Sequence, residues 1–218
     1  MRFFILIAAA ATLAACAGGM SKKECLYADW RAIGFEDGAA GRDAGAVGAR
    51  RAACADKAGV TPDMDAYLGG REAGLDQFCR PANGFDVGSR GQRYTGVCAG
   101  RDETAFVASY EQGLALWGFV SRLDAARAAL GNAHADLDRI EHDIAANEAA
   151  IISPATPHLA RIDHVAALKH LTEERARVRA ATRDLARDVD DAEAALAEFQ
   201  EALAADSRKS GPAISARY

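Results

Sequence analysis

From Leu116 onward, apolar residues recur every seven positions. Leu116, Leu123, Leu130, Leu137, Ile144 and Ile151 take one seam position, and Phe119, Ala126, Ala133, Ile140 and Asn147 take the position three residues later. This alternation of three and four is the a/d spacing of a coiled coil. The run meets SPATP, Ser153 to Pro157, whose two close prolines cannot continue a helix. A second run follows, with Leu168, Val189, Leu196 and Leu203 on one seam and Leu171, Val178, Leu185, Ala192 and Phe199 on the other. Arg175 and Thr182 interrupt it, marking a soft spot or a contact with another chain. Two nearly equal arms around a proline turn predict an antiparallel helical hairpin over 102–206, with its turn at 153–157. At 1.5 Å per residue each arm would reach about 75 Å. Little apolar surface remains for other contacts, so an extended hairpin is expected over helices that fold back on the preceding residues.

Residues 25–101 follow a different pattern, rich in glycine and aromatics. An aromatic, two residues, then glycine occurs at Phe35–Gly38, Tyr67–Gly70, Phe85–Gly88 and Tyr110–Gly113, at intervals of 32, 18 and 25 residues, too irregular for a solenoid. Residues three apart share a helix face. The stretch TPDMDAYLGGREAGLDQFC predicts a helix capped by Thr61, with Pro62 at its first position and Pro81 beyond its end. Met64, Tyr67, Leu68, Leu75 and Phe78 would form its apolar side, and Gly70 and Gly74 a flat strip. Glycine costs up to about 1 kcal/mol relative to alanine in a helix interior, so these positions need a reason. Close helix packing is the expected one, ahead of ligand-binding turns.

Residues 1–15 read as a signal peptide: Arg2 is the positive start, Phe3 to Thr12 an apolar run, and Leu13-Ala14-Ala15 brings small residues up to Cys16. The run is too short to span a bilayer, which takes about 20 residues. Leu-Ala-Ala-Cys resembles the lipobox of bacterial lipoproteins, which implies lipidation of Cys16, with palmitate among the acyl chains. Ala17, where an aspartate would favour the inner membrane, then implies anchoring to the outer membrane, facing the periplasm. On this reading residues 16–24 are a lipidated linker and 207–218 a flexible tail. Cys25, Cys54, Cys79 and Cys98 remain, an even set in an oxidising compartment, which predicts two disulfides. Of the three pairings, the sequential one is expected, each bridge worth roughly 3 kcal/mol in the loop-entropy account. Their spacings contain no C-x-x-C pair, so structural zinc is not expected.

Cys25, Trp30, Gly34-Phe35-Glu36-Asp37-Gly38, Gly41, Cys54, Tyr67, Gly70, Gly74-Leu75, Phe78-Cys79, Gly88, Gly91, Tyr94, Gly96-Val97-Cys98, Phe106, Tyr110 and Gly113 stand in an order that resembles the domain of unknown function 2799 family of bacterial envelope proteins. The resemblance covers roughly residues 25–117 and leaves the hairpin outside it. It implies an envelope location and helical character, and it carries no reaction or catalytic residues.

Chemistry-bearing residues form no convincing set. His134, His142, His158, His164 and His170 advance in steps that change helix face, and metal ligands need a shared one. Asp184, Asp188, Asp190, Asp191 and Glu193 are interleaved with Arg183 and Arg187, as on a solvated face. Ser89 in VGSRG lacks the first glycine of a nucleophile elbow, and no histidine precedes His134 to activate it. No phosphate-cradling loop occurs, so no cofactor is expected. Without residues 1–15 the chain carries 25 basic against 31 acidic side chains, a balance of −6 that speaks against nucleic acid.

The expectation is a mainly α protein: a small disulfide-linked Gly/aromatic-rich helical domain, then an antiparallel coiled-coil hairpin. Its expected role is structural, a scaffold held to the membrane by lipid that engages an envelope protein or associates with itself through the coiled coil, and not an enzyme. The alternative is a module that binds peptidoglycan or another envelope glycan, with Trp30, Trp117 and the aromatic–glycine phrases lining a groove.

Overall fold

The computed structural model describes residues 20–209; the expected signal peptide and the lipid site Cys16 lie outside these, as do positions 210–218 of the expected tail. The described residues are helical, with no strand among them. In order the helices are α1 (Lys22–Tyr27), α2 (Trp30–Ala39), α3 (Ala46–Ala58), α4 (Met64–Phe78), α5 (Pro81–Ser89), α6 (Glu103–Ile152) and α7 (His158–Lys209). The chain divides into two compact units at Leu114/Ala115, so the first turns of α6 belong to the first unit and its remainder to the second.

The helix starts follow local chemistry. Ser21 and Glu24 form a capping box at α1, so residues expected in the linker are already helical from Lys22. Asp29 caps α2 by accepting from the Ala32 N–H at 3.0 Å. Asp63, not Thr61, caps α4, accepting from the Ala66 N–H at 2.9 Å. Aspartate and threonine are both good caps, and here the one nearer the apolar run supplies it. Pro81 opens α5, where its missing N–H costs nothing. At the other end of the chain α7 continues to Lys209, three residues into the expected tail, with the Ser207 hydroxyl bonded to the Leu203 carbonyl at 2.9 Å.

In the first unit, α2 and α4 approach backbone to backbone. A Cβ at Gly34 would lie 2.0 Å from the Tyr67 carbonyl oxygen, and one at Gly38 would lie 2.2 Å from that of Arg71. The approach is reciprocal: a Cβ at Gly70 would lie 1.9 Å from the Arg31 carbonyl oxygen and one at Gly74 2.2 Å from that of Phe35. The contacts advance together along both helices, which therefore run parallel. The same device joins α5 to the start of α6, where a Cβ at Gly84 or Gly88 would lie 2.4 or 2.1 Å from the Phe106 or Tyr110 carbonyl oxygen, and one at Gly113 2.2 Å from that of Phe85. All four aromatic–glycine phrases thus place their glycine in a helix crossing. Leu68, expected on the apolar side of α4, is instead 44% exposed, because the glycine strip turns it away from α2.

These two parallel pairs expose an internal duplication. Gly34-Phe35-x-x-Gly38-x-x-Gly41 recurs as Gly84-Phe85-x-x-Gly88-x-x-Gly91. Gly41 and Gly91 both have φ of 64°, the left-handed conformation that glycine adopts freely. Both close a Schellman-type cap, with Arg42 N–H bonded to the Asp37 carbonyl at 2.9 Å and Gln92 N–H to that of Val87 at 3.1 Å. Disulfides occupy matching places: Cys25–Cys54 and Cys79–Cys98 each join the chain before the first helix of a pair to the chain before the second. One core cluster gathers Trp30, Val47 and Tyr67 around the first bridge, and another gathers Leu75, Phe78, Val87 and Phe106 around the second. Helix α4 contributes to both.

The second unit is an antiparallel hairpin. Phe119 stacks on Phe199 with ring centroids 4.8 Å apart, Arg127 pairs with Glu193 at 2.7 Å, Arg179 with Glu141 at 2.5 Å, and His164 meets Asn147 at 2.8 Å. Partners on α7 thus descend as those on α6 rise. The a/d residues from Leu116 to Ile151 are buried or partly buried, as are those from Leu168 to Leu203. Thr182, one of the two interruptions, turns its hydroxyl onto the Val178 carbonyl at 2.8 Å.

Neighbouring glycines of α4 should respond oppositely to alanine. Gly69 faces open space, so Gly69→Ala is expected to raise stability by up to about 1 kcal/mol. Gly70→Ala must push against the Arg31 carbonyl and is expected to cost about 1–3 kcal/mol or more. Urea denaturation of the two variants checks this; equal effects would remove the close approach as the reason for Gly70.

Candidate functional site

The residues singled out from the sequence scatter in the structure. The four bridged cysteines are buried within the two core clusters of the first unit. His134, His142, His158 and His170 are exposed along α6 and α7, and His164 lies partly buried against Asn147. Among the described residues no group of three or more His, Cys, Asp or Glu could hold a metal ion. Asp184, Asp188, Asp190, Asp191 and Glu193 are exposed, with Asp184 paired to Arg187 on the same helix and Glu193 to Arg127. The Ser89 hydroxyl donates to the Asp86 carbonyl at 3.1 Å. Among the described residues no helix is long and apolar enough to cross a membrane.

The structure assembles something else: a polar centre around Asp37. Trp30, Gly34, Asp37 and Gly38 lie on the buried stripe of α2, which carries Asp37 fully out of contact with solvent. Three elements reach it. From the turn after α2, Arg42 Nη1 donates to Oδ1 at 2.8 Å. From α3, Arg50 donates to both oxygens, one of these bonds being Nη2 to Oδ1 at 3.1 Å. From α4, the Tyr67 hydroxyl donates to Oδ2 at 3.0 Å. Arg71, also on α4 and nearly buried, donates Nη2 to the Arg42 carbonyl at 3.0 Å, and its Nε has no partner among the described residues.

Burial alone would raise the Asp37 pKa, but hydrogen bonds from Arg50, Tyr67 and Arg42 outweigh it and hold the carboxyl below its ordinary value. Tyr67 is pushed up to about 12, first by burial and then by its bond to the charged Asp37. Its hydrogen bond to Asp37 holds the Arg50 guanidinium more firmly protonated still. The result is a carboxylate kept ionised in the interior, with cations and a phenol held on it. Such a group binds helices together; it has no exposed oxygen with which to meet a substrate. An acid on the Trp30–Gly34–Gly38 stripe, where an apolar residue belongs, was the available sign of this centre.

A second feature lies at the hairpin turn. Ile152, Leu159, Ile162 and Val165 are 82%, 76%, 56% and 56% exposed. Ile162 and Val165 are off the α7 seam, three residues apart on one outward face, and Ile152 ends α6 beside the turn. Arg161 fastens the turn by donating Nη2 to the Ser153 carbonyl at 2.9 Å. Sequence reading placed the turn but missed this apolar cluster, because attention to the seam leaves off-seam aliphatics unexamined.

Because the folded-state pKa of Asp37 lies below its unfolded value, its contribution to stability is present above about pH 4 and is lost as pH falls through the folded pKa. Asp37→Asn is expected to cost about 3 kcal/mol at neutral pH, the lower end for a broken buried pair because Arg42 and Arg50 keep some access to water. The gap between variant and parent should narrow as pH drops below about 4. Denaturant titrations across pH test this; a constant gap would mean that Asp37 is not the ionised centre.

Residues 29–115 match the family described as Protein of unknown function (DUF2799). No curated protein and no solved structure matches the chain. The family match covers the two glycine-crossed helix pairs and ends as α6 leaves the first unit, so the resemblance to this family belongs to that unit and the hairpin lies beyond it.

Proposed function

We propose that this protein is an interaction protein of the bacterial envelope, tethered to the outer membrane through lipid on Cys16, whose helical hairpin engages a protein partner. The observation that carries the reading is the group of aliphatic side chains left exposed at the hairpin turn, Ile152, Leu159, Ile162 and Val165. Elsewhere along the hairpin the apolar residues of the seam are buried or partly buried, and the exposed large apolar side chains are Trp117 and Val120 near the start of the unit. Aliphatic side chains grouped on a surface in this way mark interaction sites far more often than singly scattered ones. The leader and the Leu-Ala-Ala-Cys sequence support the tether. Glycan recognition by the first unit draws less support, because the glycines of its aromatic phrases face neighbouring backbone and Trp30 is buried.

A photo-reactive residue at Ala155, exposed in the turn, is expected to capture one discrete envelope protein or a second copy in cells. Replacing Ile152 and Leu159 by serine should lower the yield about tenfold, as for loss of interface residues together worth about 1.4 kcal/mol. Helicity measured by circular dichroism should stay unchanged. Absence of a discrete product, or a yield indifferent to the two serines, would refute the hairpin as the docking element.

A further inference from the structure

The first described residues form a surface unlike the rest of the first unit. Helix α1 buries Cys25 and turns the opposite way Lys23 and Tyr27, which lie four apart and share a face. Tyr27 is 81% exposed and the adjoining Leu26 49%, while Lys22 and Lys23 are both exposed. Next to them lies a shallow groove of about 550 Å³ whose lining is half apolar, with Met20 and Ile33, and half charged, with Lys23, Glu24, Glu36 and Arg50. The Glu24 carboxylate accepts from the Ser21 N–H at 2.7 Å in the capping box, and Lys57 Nζ holds the Met20 carbonyl at 3.1 Å. An exposed aromatic, an exposed leucine and two lysines side by side are the composition of a membrane-interface contact, in which the aromatic sits at headgroup depth and the lysines meet anionic lipid.

We infer that this face of α1 rests on the bilayer surface, with anionic phospholipid as its occupant. The inference rests on the lipid tether proposed above, and chain length then supplies the geometry. Met20 is only four positions on from Cys16, a span of at most about 14 Å even fully extended. A lipidated Cys16 lies at the interface, so the Met20 backbone, at one end of the groove, cannot be farther from the headgroups than that span. The interfacial layer is itself several ångströms deep, since headgroup regions add about 10–15 Å to a 30 Å hydrocarbon core. Of the surfaces near the tether, the one bearing Tyr27, Leu26 and the lysines is the one whose chemistry matches. Cys25–Cys54 bonds α1 to α3, so contact at α1 sets the orientation of the first unit on the membrane and not merely of a free segment.

The test uses the full chain purified from cells with its lipid and reconstituted into vesicles of phosphatidylethanolamine and phosphatidylglycerol. A photo-reactive residue replaces Tyr27 in one sample and Thr95, exposed on the loop leading to Cys98, in another. Intact mass reports acylation, and mass spectrometry of crosslinked peptides reports phospholipid adducts. Adducts are expected at position 27 and not at 95. Lys22→Glu with Lys23→Glu should reduce them roughly fivefold, and so should vesicles of phosphatidylcholine alone. Acylated protein with no adducts at position 27, or with equal adducts at both positions, would overturn the inference while leaving the tether intact. A mass without acyl chains would overturn the tether and this inference with it.

Discussion

The contact between backbones at Gly34, Gly38, Gly70 and Gly74 sets what the rest of the first unit must do. Helices that meet without intervening side chains gain close van der Waals contact but bury few large apolar groups at the crossing. The pair is also parallel, so the chain must travel back between α2 and α4, and it does so through α3 and the residues after it. A long return is entropically costly to close. The disulfides act on that return, joining the chain before the first helix of each pair to the segment that leads back to the second. Glycine crossing, return segment and bridge are therefore one solution used twice.

The Asp37 centre follows from the same constraint. With glycines at 34 and 38, α2 has little apolar side chain to offer α4 between Trp30 and its end, and the gap is filled by polar groups that satisfy one another. A buried ion cluster is a poor substitute for apolar packing in stability. It is a demanding one in geometry, because a carboxylate bonded by Arg42, Arg50 and Tyr67 fixes three elements at once. The second pair has no equivalent: Val87 stands where the duplication aligns Asp37, and Phe78, Tyr94, Phe106 and Tyr110 pack there as aromatics. At this position one repeat thus carries an ion cluster and the other aromatic rings.

The hairpin was the most legible part of the sequence, because a seven-residue apolar period sustained over both arms has few other meanings. The glycine crossings were legible as a need, since several helix-interior glycines had to be explained, but not as a topology. The phrases alternate between helices that pair α2 with α4 and α5 with α6, and a search for one period hid the duplication of Gly34–Gly41 as Gly84–Gly91. Asp37 was passed over because acidity was weighed in clusters, as at Asp184 to Glu193, while a single acid on an apolar stripe carries more structural weight. The partner of His164 was missed for a related reason. Asn147 was counted among the seam residues, and a polar residue at a seam position asks for a polar partner across it.

Among the described residues, the acid held ionised in the interior stands apart from the exposed acids. Asp37 has the perturbed ionisation that chemistry requires and no access to solvent. The carboxylates of α7 from Asp184 to Glu193 are exposed, with Asp184 paired to Arg187 and Glu193 to Arg127. What the exposed surface does concentrate is apolar: Ile152, Leu159, Ile162 and Val165 at the hairpin turn, and Leu26 and Tyr27 on α1. Apolar side chains kept at a surface gain by being covered, and that gain is the ground for proposing a protein contact at the turn and a lipid contact at α1.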